Sequence, residues 1–150
     1  MKRKNILTDH TLIIDELERS IKFYHWNSIL SFLPKGSYLV GGYIRDIVLK
    51  RVTEKIDVDI VVPSNAIEIG KIISENIKSK FIILDKEREI VRIIFNNISI
   101  DISNQISSTI EGDLRSRDFA INSIAFLFDK KLLIDPLNGL KDLELSLIHI

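Results

Sequence analysis

The sequence predicts an α+β fold, a mixed sheet with helices packed on it, preceded by an N-terminal helical segment. Three observations lead there. Residues 38–62 read as strand, glycine turn, helix, loop and strand. Residues 81–102 carry three short β-prone runs rich in isoleucine. Residues 9–24 and 65–77 place apolar side chains at three-and-four spacing, which suits a helix with one buried face.

In chain order, residues 1–8 read as a loose arm. The helix over 9–24 has Leu12, Ile13, Leu17, Ile21 and Tyr24 on one side. A short apolar piece over 26–33 ends at Pro34-Lys35-Gly36. Tyr38-Leu39-Val40 is a strand, and Gly41-Gly42 a turn where the backbone needs freedom that a Cβ would deny. The helix over 43–50 turns Ile44, Ile47 and Val48 inward. In the strand over 56–62, Ile56, Val58, Ile60 and Val62 form the apolar side. Pro63 stops it, and Asn65 with Glu68 three residues on has the pattern of a helix N-cap. The helix to residue 77 faces Ala66, Ile69, Ile73 and Ile77 inward. Strands follow at 81–84, 90–95 and 98–102, the last two joined by a two-residue turn at Asn96-Asn97. Residues 103–116 are polar and read as loop. Residues 117–125 read as a helix with Arg117, Asp118 and Asn122 close together at its N-terminal end. A hairpin then crosses Asp129-Lys130, and residues 135–139 turn into a helix near Leu140.

Composition excludes several classes. At 150 residues, 45% of them apolar, the chain is long enough for one domain with a real core. Net charge is zero, so no global basic field announces nucleic acid, although a local basic surface remains open. Without cysteine there are no disulfides or thiolate metal sites. No apolar run has membrane-spanning length and no signal-like segment follows the basic N-terminus, so the cytoplasm is the expected compartment. His10 and His25 lack a second ligand at metal spacing. There is no G-x-G-x-x-G and no Walker A sequence, nor a Ser-His-Asp or Cys-His arrangement.

The chemistry concentrates at 38–62. Side chains alternate along a strand, so Asp57 and Asp59 point the same way, one pleat apart. Two close carboxylates repel unless a cation lies between them. Mg²⁺ suits such a pair, with substrate phosphates completing its shell. The glycine turn opening the next helix favours an anion, because free N–H groups and the helix dipole meet there. Arg45 adds a donor fork suited to phosphate. Alone, a Gly-Gly is an ordinary turn and an Asp-x-Asp an ordinary solvated strand face. In this order and this close, they describe a nucleoside triphosphate site. Asp101, on a strand between Ser99 and Ser103, either joins the pair as a third carboxylate around two metal ions or is a surface acid on an edge strand. Arg117 suits phosphate, Asp118 and Asn122 suit ribose hydroxyls, and the bland reading is a surface ion pair with a capping role.

Leu39-Val40-Gly41-Gly42-x-x-Arg45-Asp46, then Asp57-x-Asp59, Gly112-Asp113-Leu114-x-x-Arg117-Asp118-Phe119-x-x-Asn122 and Asp135-Pro136-x-x-Gly139-Leu140-x-Asp142-Leu143 follow one another in the chain. This set closely resembles the head domain of the class II tRNA nucleotidyltransferase and bacterial poly(A) polymerase family. The resemblance implies a polymerase-β-like nucleotidyltransferase fold. It implies Mg²⁺-dependent transfer of CMP or AMP from CTP or ATP to an RNA 3′ end, most of all that of tRNA. It implies Asp57, Asp59 and Asp101 as metal ligands and catalytic carboxylates. It implies Gly41, Gly42 and Arg45 as triphosphate contacts, and Arg117, Asp118 and Asn122 as nucleotide contacts. The chain departs from the pattern at Lys50, where the family often has glycine, and at Ser116-Arg117, where many members have two arginines. It also lacks the Glu-Asp-x-x-Arg neck motif through which the family selects its base.

The resemblance sets the head at 36–144, after an arm and helices over 1–35. Residues 145–150 read as the translation of a sequencing-library adapter and are expected to be non-native. The expected protein is thus a catalytic head without its neck, binding Mg-nucleotide weakly and adding it with little base choice. CC-adding, A-adding and poly(A)-adding variants stand as alternatives within the family. A non-catalytic nucleotide- or RNA-binding module stands as one outside catalysis. A glycosyltransferase using Asp-x-Asp is disfavoured by the Gly-Gly helix just upstream.

Overall fold

A computed structural model of the chain describes residues 9–51, 54–116 and 123–148. The elements are α1 (His10–Phe23), a 3-10 helix (Asn27–Phe32), β1 (Tyr38–Val40), α2 (Gly42–Val48), β2 (Ile56–Val62), α3 (Ala66–Ile77), β3 (Lys80–Asp85), β4 (Ile90–Phe95), β5 (Ile98–Asn104), α4 (Ile110–Arg115), β6 (Ala125–Leu127), β7 (Leu132–Ile134) and α5 (Gly139–Ile148). The strands form one seven-stranded sheet in the order β3-β4-β5-β2-β1-β6-β7. Among the described residues β2 and β5 pair in parallel and the other neighbours are antiparallel, so the sheet is mixed, as expected.

The period-two pattern of β2 sorts its faces. Ile56, Val58, Ile60 and Val62 are buried, whereas Asp57 and Asp59 are exposed. The apolar face joins Val91, Ile93, Ile98, Ile100 and Ile102 in a core that α1, α2 and α3 cover. From α1 come Ile13, Leu17 and Ile21, all buried, each contributing about 1.5–3 kcal/mol by leaving water. Asp9 caps that helix, its Oδ1 accepting from the N–H groups of Thr11 at 3.0 Å and Leu12 at 3.3 Å. The N-terminal segment therefore shares the core of the sheet. On the opposite face, α4 lays Leu114 over Tyr38, Val40, Val61, Ala125 and Leu127.

Two expectations are corrected here. Asn65 stands at the N-cap of α3, but in a left-handed conformation (φ 63°) and without a side-chain cap bond. The cap comes instead from the end of β5, where Asn104 Oδ1 accepts from the Ala66 N–H at 2.9 Å. The 103–116 segment is not all loop. β5 runs to Asn104, and α4 forms over Ile110–Arg115, with Thr109 Oγ1 accepting from the Gly112 N–H at 2.9 Å. At the other end of the chain, Asp135 caps α5 through the N–H groups of Gly139 (2.6 Å) and Leu140 (3.0 Å), and α5 passes through residues 145–148.

Lys50 occupies a position that suits glycine. Its φ is 54°, and the N–H groups of Lys50 and Arg51 bond back to the carbonyls of Ile47 at 3.1 Å and Asp46 at 2.8 Å, closing α2 as a Schellman motif. A left-handed conformation costs a residue with a Cβ about 1 kcal/mol or more. Lys50→Gly is therefore expected to raise stability by about 1 kcal/mol, read as a higher urea midpoint at unchanged m-value. An unchanged or lower midpoint would show that the turn is unstrained.

Candidate active site

The site grows from one crossing of the sheet. β1 and β2 are antiparallel with Val40 opposite Asp59, so the chain leaves β1 beside the two aspartates and turns there into α2. Gly41 makes that turn at φ 88°, ψ −149°, a region effectively reserved for glycine. A Cβ on Gly41 would stand 3.2 Å from Asp59 Oδ2. The turn thus lies against the carboxylate itself. Gly41→Ala is expected to lower stability by about 2 kcal/mol and to displace Asp59 from the turn. A thermal melt with nucleotide titration checks both, and a wild-type melt and affinity would count against the close approach.

Arg45 folds back over the start of α2, its Nη2 3.0 Å from where a Gly42 Cβ would be, while its Nε donates to Asp46 Oδ1 at 3.1 Å. Beside it opens a cleft of about 310 Å³ whose lining includes Gly42, Arg45, Arg51, Lys55, Asp57 and Asp59. It therefore brings together one glycine of the turn, the helix arginine and both aspartates of β2. Arg51 and Lys55 were not singled out from the sequence. They belong to the α2–β2 loop, which simply has the reach to return cations to the head of the cleft. Tyr43 forms another wall; burial pushes its hydroxyl above the ordinary value, and the hydroxyl shares a hydrogen bond with Ser20 Oγ.

Asp101 does lie on the neighbouring strand. In the parallel β2–β5 pair it is opposite Asp59, and Ser99 is opposite Asp57. Its carboxylate, however, is held by Arg92 of β4: Nε donates to Oδ1 at 2.7 Å and Nη2 to Oδ2 at 3.0 Å. Among the described residues no three acidic or histidine side chains are grouped to hold a metal ion. The donor set does fit a hard cation, because Asp57 and Asp59 offer carboxylate oxygens on one exposed face, to which phosphate oxygens would add. Arg117, Asp118 and Asn122 lie outside the described residues. Among those residues no helix is long and apolar enough to cross a membrane.

Residues 37–106 and 101–149 match the family described as the poly(A) polymerase head domain. A CC-adding tRNA nucleotidyltransferase of Synechocystis sp. is 43% identical over 115 residues, 77% of this chain and 28% of that protein. An A-adding tRNA nucleotidyltransferase of Deinococcus radiodurans is 32% identical over 78% of this chain and 26% of its own length. A crystal structure of a tRNA nucleotidyltransferase complexed with a primer tRNA and an incoming ATP analogue superposes with a TM-score of 0.61 at 31% identity, covering 72% of this chain and 33% of that one. This chain thus spans about a third or less of the relatives that it matches. With sequence and fold in agreement, and a glycine turn set against an aspartate pair, the chain belongs to the poly(A) polymerase head-domain family.

Proposed function

We propose that the chain is the catalytic head of an RNA nucleotidyltransferase that transfers CMP or AMP from CTP or ATP to the 3′ end of tRNA. The observation that carries this reading is the contact between the Gly41 turn and Asp59, which sets an anion-binding turn against a cation-binding carboxylate. Asp57 and Asp59 would hold Mg²⁺, and the cation when bound would neutralise triphosphate charge and acidify the attacking hydroxyl. The N–H groups at the start of α2 and the Arg45 fork orient the phosphates. Arg51 and Lys55 add positive charge to the same cleft. Asp101, released from Arg92, would accept the proton of the RNA hydroxyl. Arg117, Asp118 and Asn122 would meet the nucleotide, as the family resemblance implies.

The relatives include both CC-adding and A-adding enzymes, so the head carries the transfer common to both. Choice of base then belongs to the part of those proteins that this chain does not span. The test is incorporation of labelled CTP or ATP into tRNA lacking its 3′ end, compared with the Asp57→Ala and Asp59→Ala chains. Weak incorporation with little base preference, lost in both variants, supports the reading. Mg-nucleotide binding without incorporation would make the chain a binding module, and ordered CCA synthesis by this chain alone would overturn the assignment of base choice.

A further inference from the structure

Asp57, Asp59 and Asp101 stand on one face of two adjacent strands, with Asp59 and Asp101 in direct register. Three like charges so placed repel one another. The charge that offsets Asp101 comes from β4. Arg92 is opposite Asp101 in the antiparallel β4–β5 pair and grips both of its oxygens in a bidentate fork. The hydrogen bonds to Asp101 and then its charge, with smaller contributions from Asp57 and Asp59, hold the Arg92 guanidinium above its ordinary value. The Arg92 and Asp101 side chains are partly open to solvent, 40% and 26% exposed, so the pair can part without unfolding the sheet.

We propose that Arg92 is the resident counter-ion of Asp101 on the carboxylate face, and that a divalent cation must take Asp101 from it. The proposal rests on Asp57 and Asp59 as cation ligands and deepens that reading. Asp101 joins the other two carboxylates only when the guanidinium yields. Arg92 is thus a positioning residue, acting through Asp101. A guanidinium and a cation compete here in two ways, for the same oxygen lone pairs and through like-charge repulsion.

The test is titration of the chain with Mn²⁺ alone, followed by calorimetry and by the electron paramagnetic resonance signal of free Mn²⁺, at constant pH and ionic strength. Arg92→Gln is expected to bind Mn²⁺ about tenfold more tightly than the wild type. Arg92→Lys, which keeps the charge and the fold, should stay within about threefold of it. In an Asp101→Asn background the gain from Arg92→Gln should shrink markedly. If Asp59→Asn binds Mn²⁺ as the wild type does, the cation-site reading itself fails and the proposal with it. If Asp59→Asn abolishes binding but Arg92→Gln leaves it unchanged or weakens it, the site stands and the proposal falls, because Arg92 would then be orienting Asp101 as a ligand.

Discussion

Asp59→Asn is expected to lower nucleotidyl transfer by about 10³-fold while leaving the fold intact, and Asp57→Asn to come close to it. The magnitude follows from losing a charged ligand where several kcal/mol of charge stabilisation depend on the cation, each 1.36 kcal/mol being about tenfold in rate. The fold should survive for a local reason. β2 is held by β1 on one side and β5 on the other, and its buried face is Ile56, Val58, Ile60 and Val62. Asp57 and Asp59 belong to the exposed face, and asparagine keeps their shape. The change in stability should therefore stay within about 1 kcal/mol. Initial rates of labelled CMP or AMP incorporation, with a circular dichroism melt of each variant, check the two halves separately. Rates within threefold of the wild type in a folded variant would remove Asp59 from the chemistry. A collapsed melt would instead make it a structural residue of the Gly41 turn.

The parts of this site that the sequence shows are those governed by local rules. Alternation along residues 56–62 puts both aspartates on one face, and Gly41-Gly42 announces the turn beside them. Arg92 was legible too, by counting. A two-residue turn at Asn96-Asn97 pairs Phe95 with Ile98, and stepping outward pairs Arg92 with Asp101, as the sheet has it. Other features depend on distant chain. The cap of α3 comes from Asn104, 38 residues from Ala66, and no local pattern could favour it over Asn65. The helix α4 was hidden because Ile110 and Leu114 are its only large apolar residues, and its amphipathic signal is lost in a polar stretch. Whether β5 lies beside β2 is a matter of topology, since a parallel pair is joined by a crossover and not by a turn. Asp101 could therefore be read only as a conditional member of the group.

Asp113→Ala is expected to cost about 3 kcal/mol and to lower Tm by about 10 °C. Asp113 belongs to the same family motif as Arg117, yet it is 1% exposed and makes structural bonds. The Tyr38 hydroxyl donates to its Oδ2 at 2.5 Å and the Ile106 N–H to its Oδ1 at 2.9 Å. One buried carboxylate thereby ties three parts of the chain together: β1, which leads into the Gly41 turn; the segment that follows β5; and α4, whose Leu114 covers the second face of the sheet. Removing it takes an acceptor from donors that include the hydroxyl of the fully buried Tyr38 and the Ile106 N–H, at about 1–3 kcal/mol each. Asp113→Asn keeps an oxygen for one donor but turns an amide toward the other, so about half the loss should remain. Combining Asp113→Ala with Tyr38→Phe tests the bond directly. The double variant should be more stable than the sum of the single losses predicts, with a coupling of about 1 kcal/mol or more. Thermal and urea denaturation of the four chains measures it. Strict additivity would mean that the hydroxyl and the carboxylate act independently. Mg-nucleotide affinity measured well below the melting range should be nearly unchanged, which separates a residue that holds the site's scaffold from one that touches its substrate.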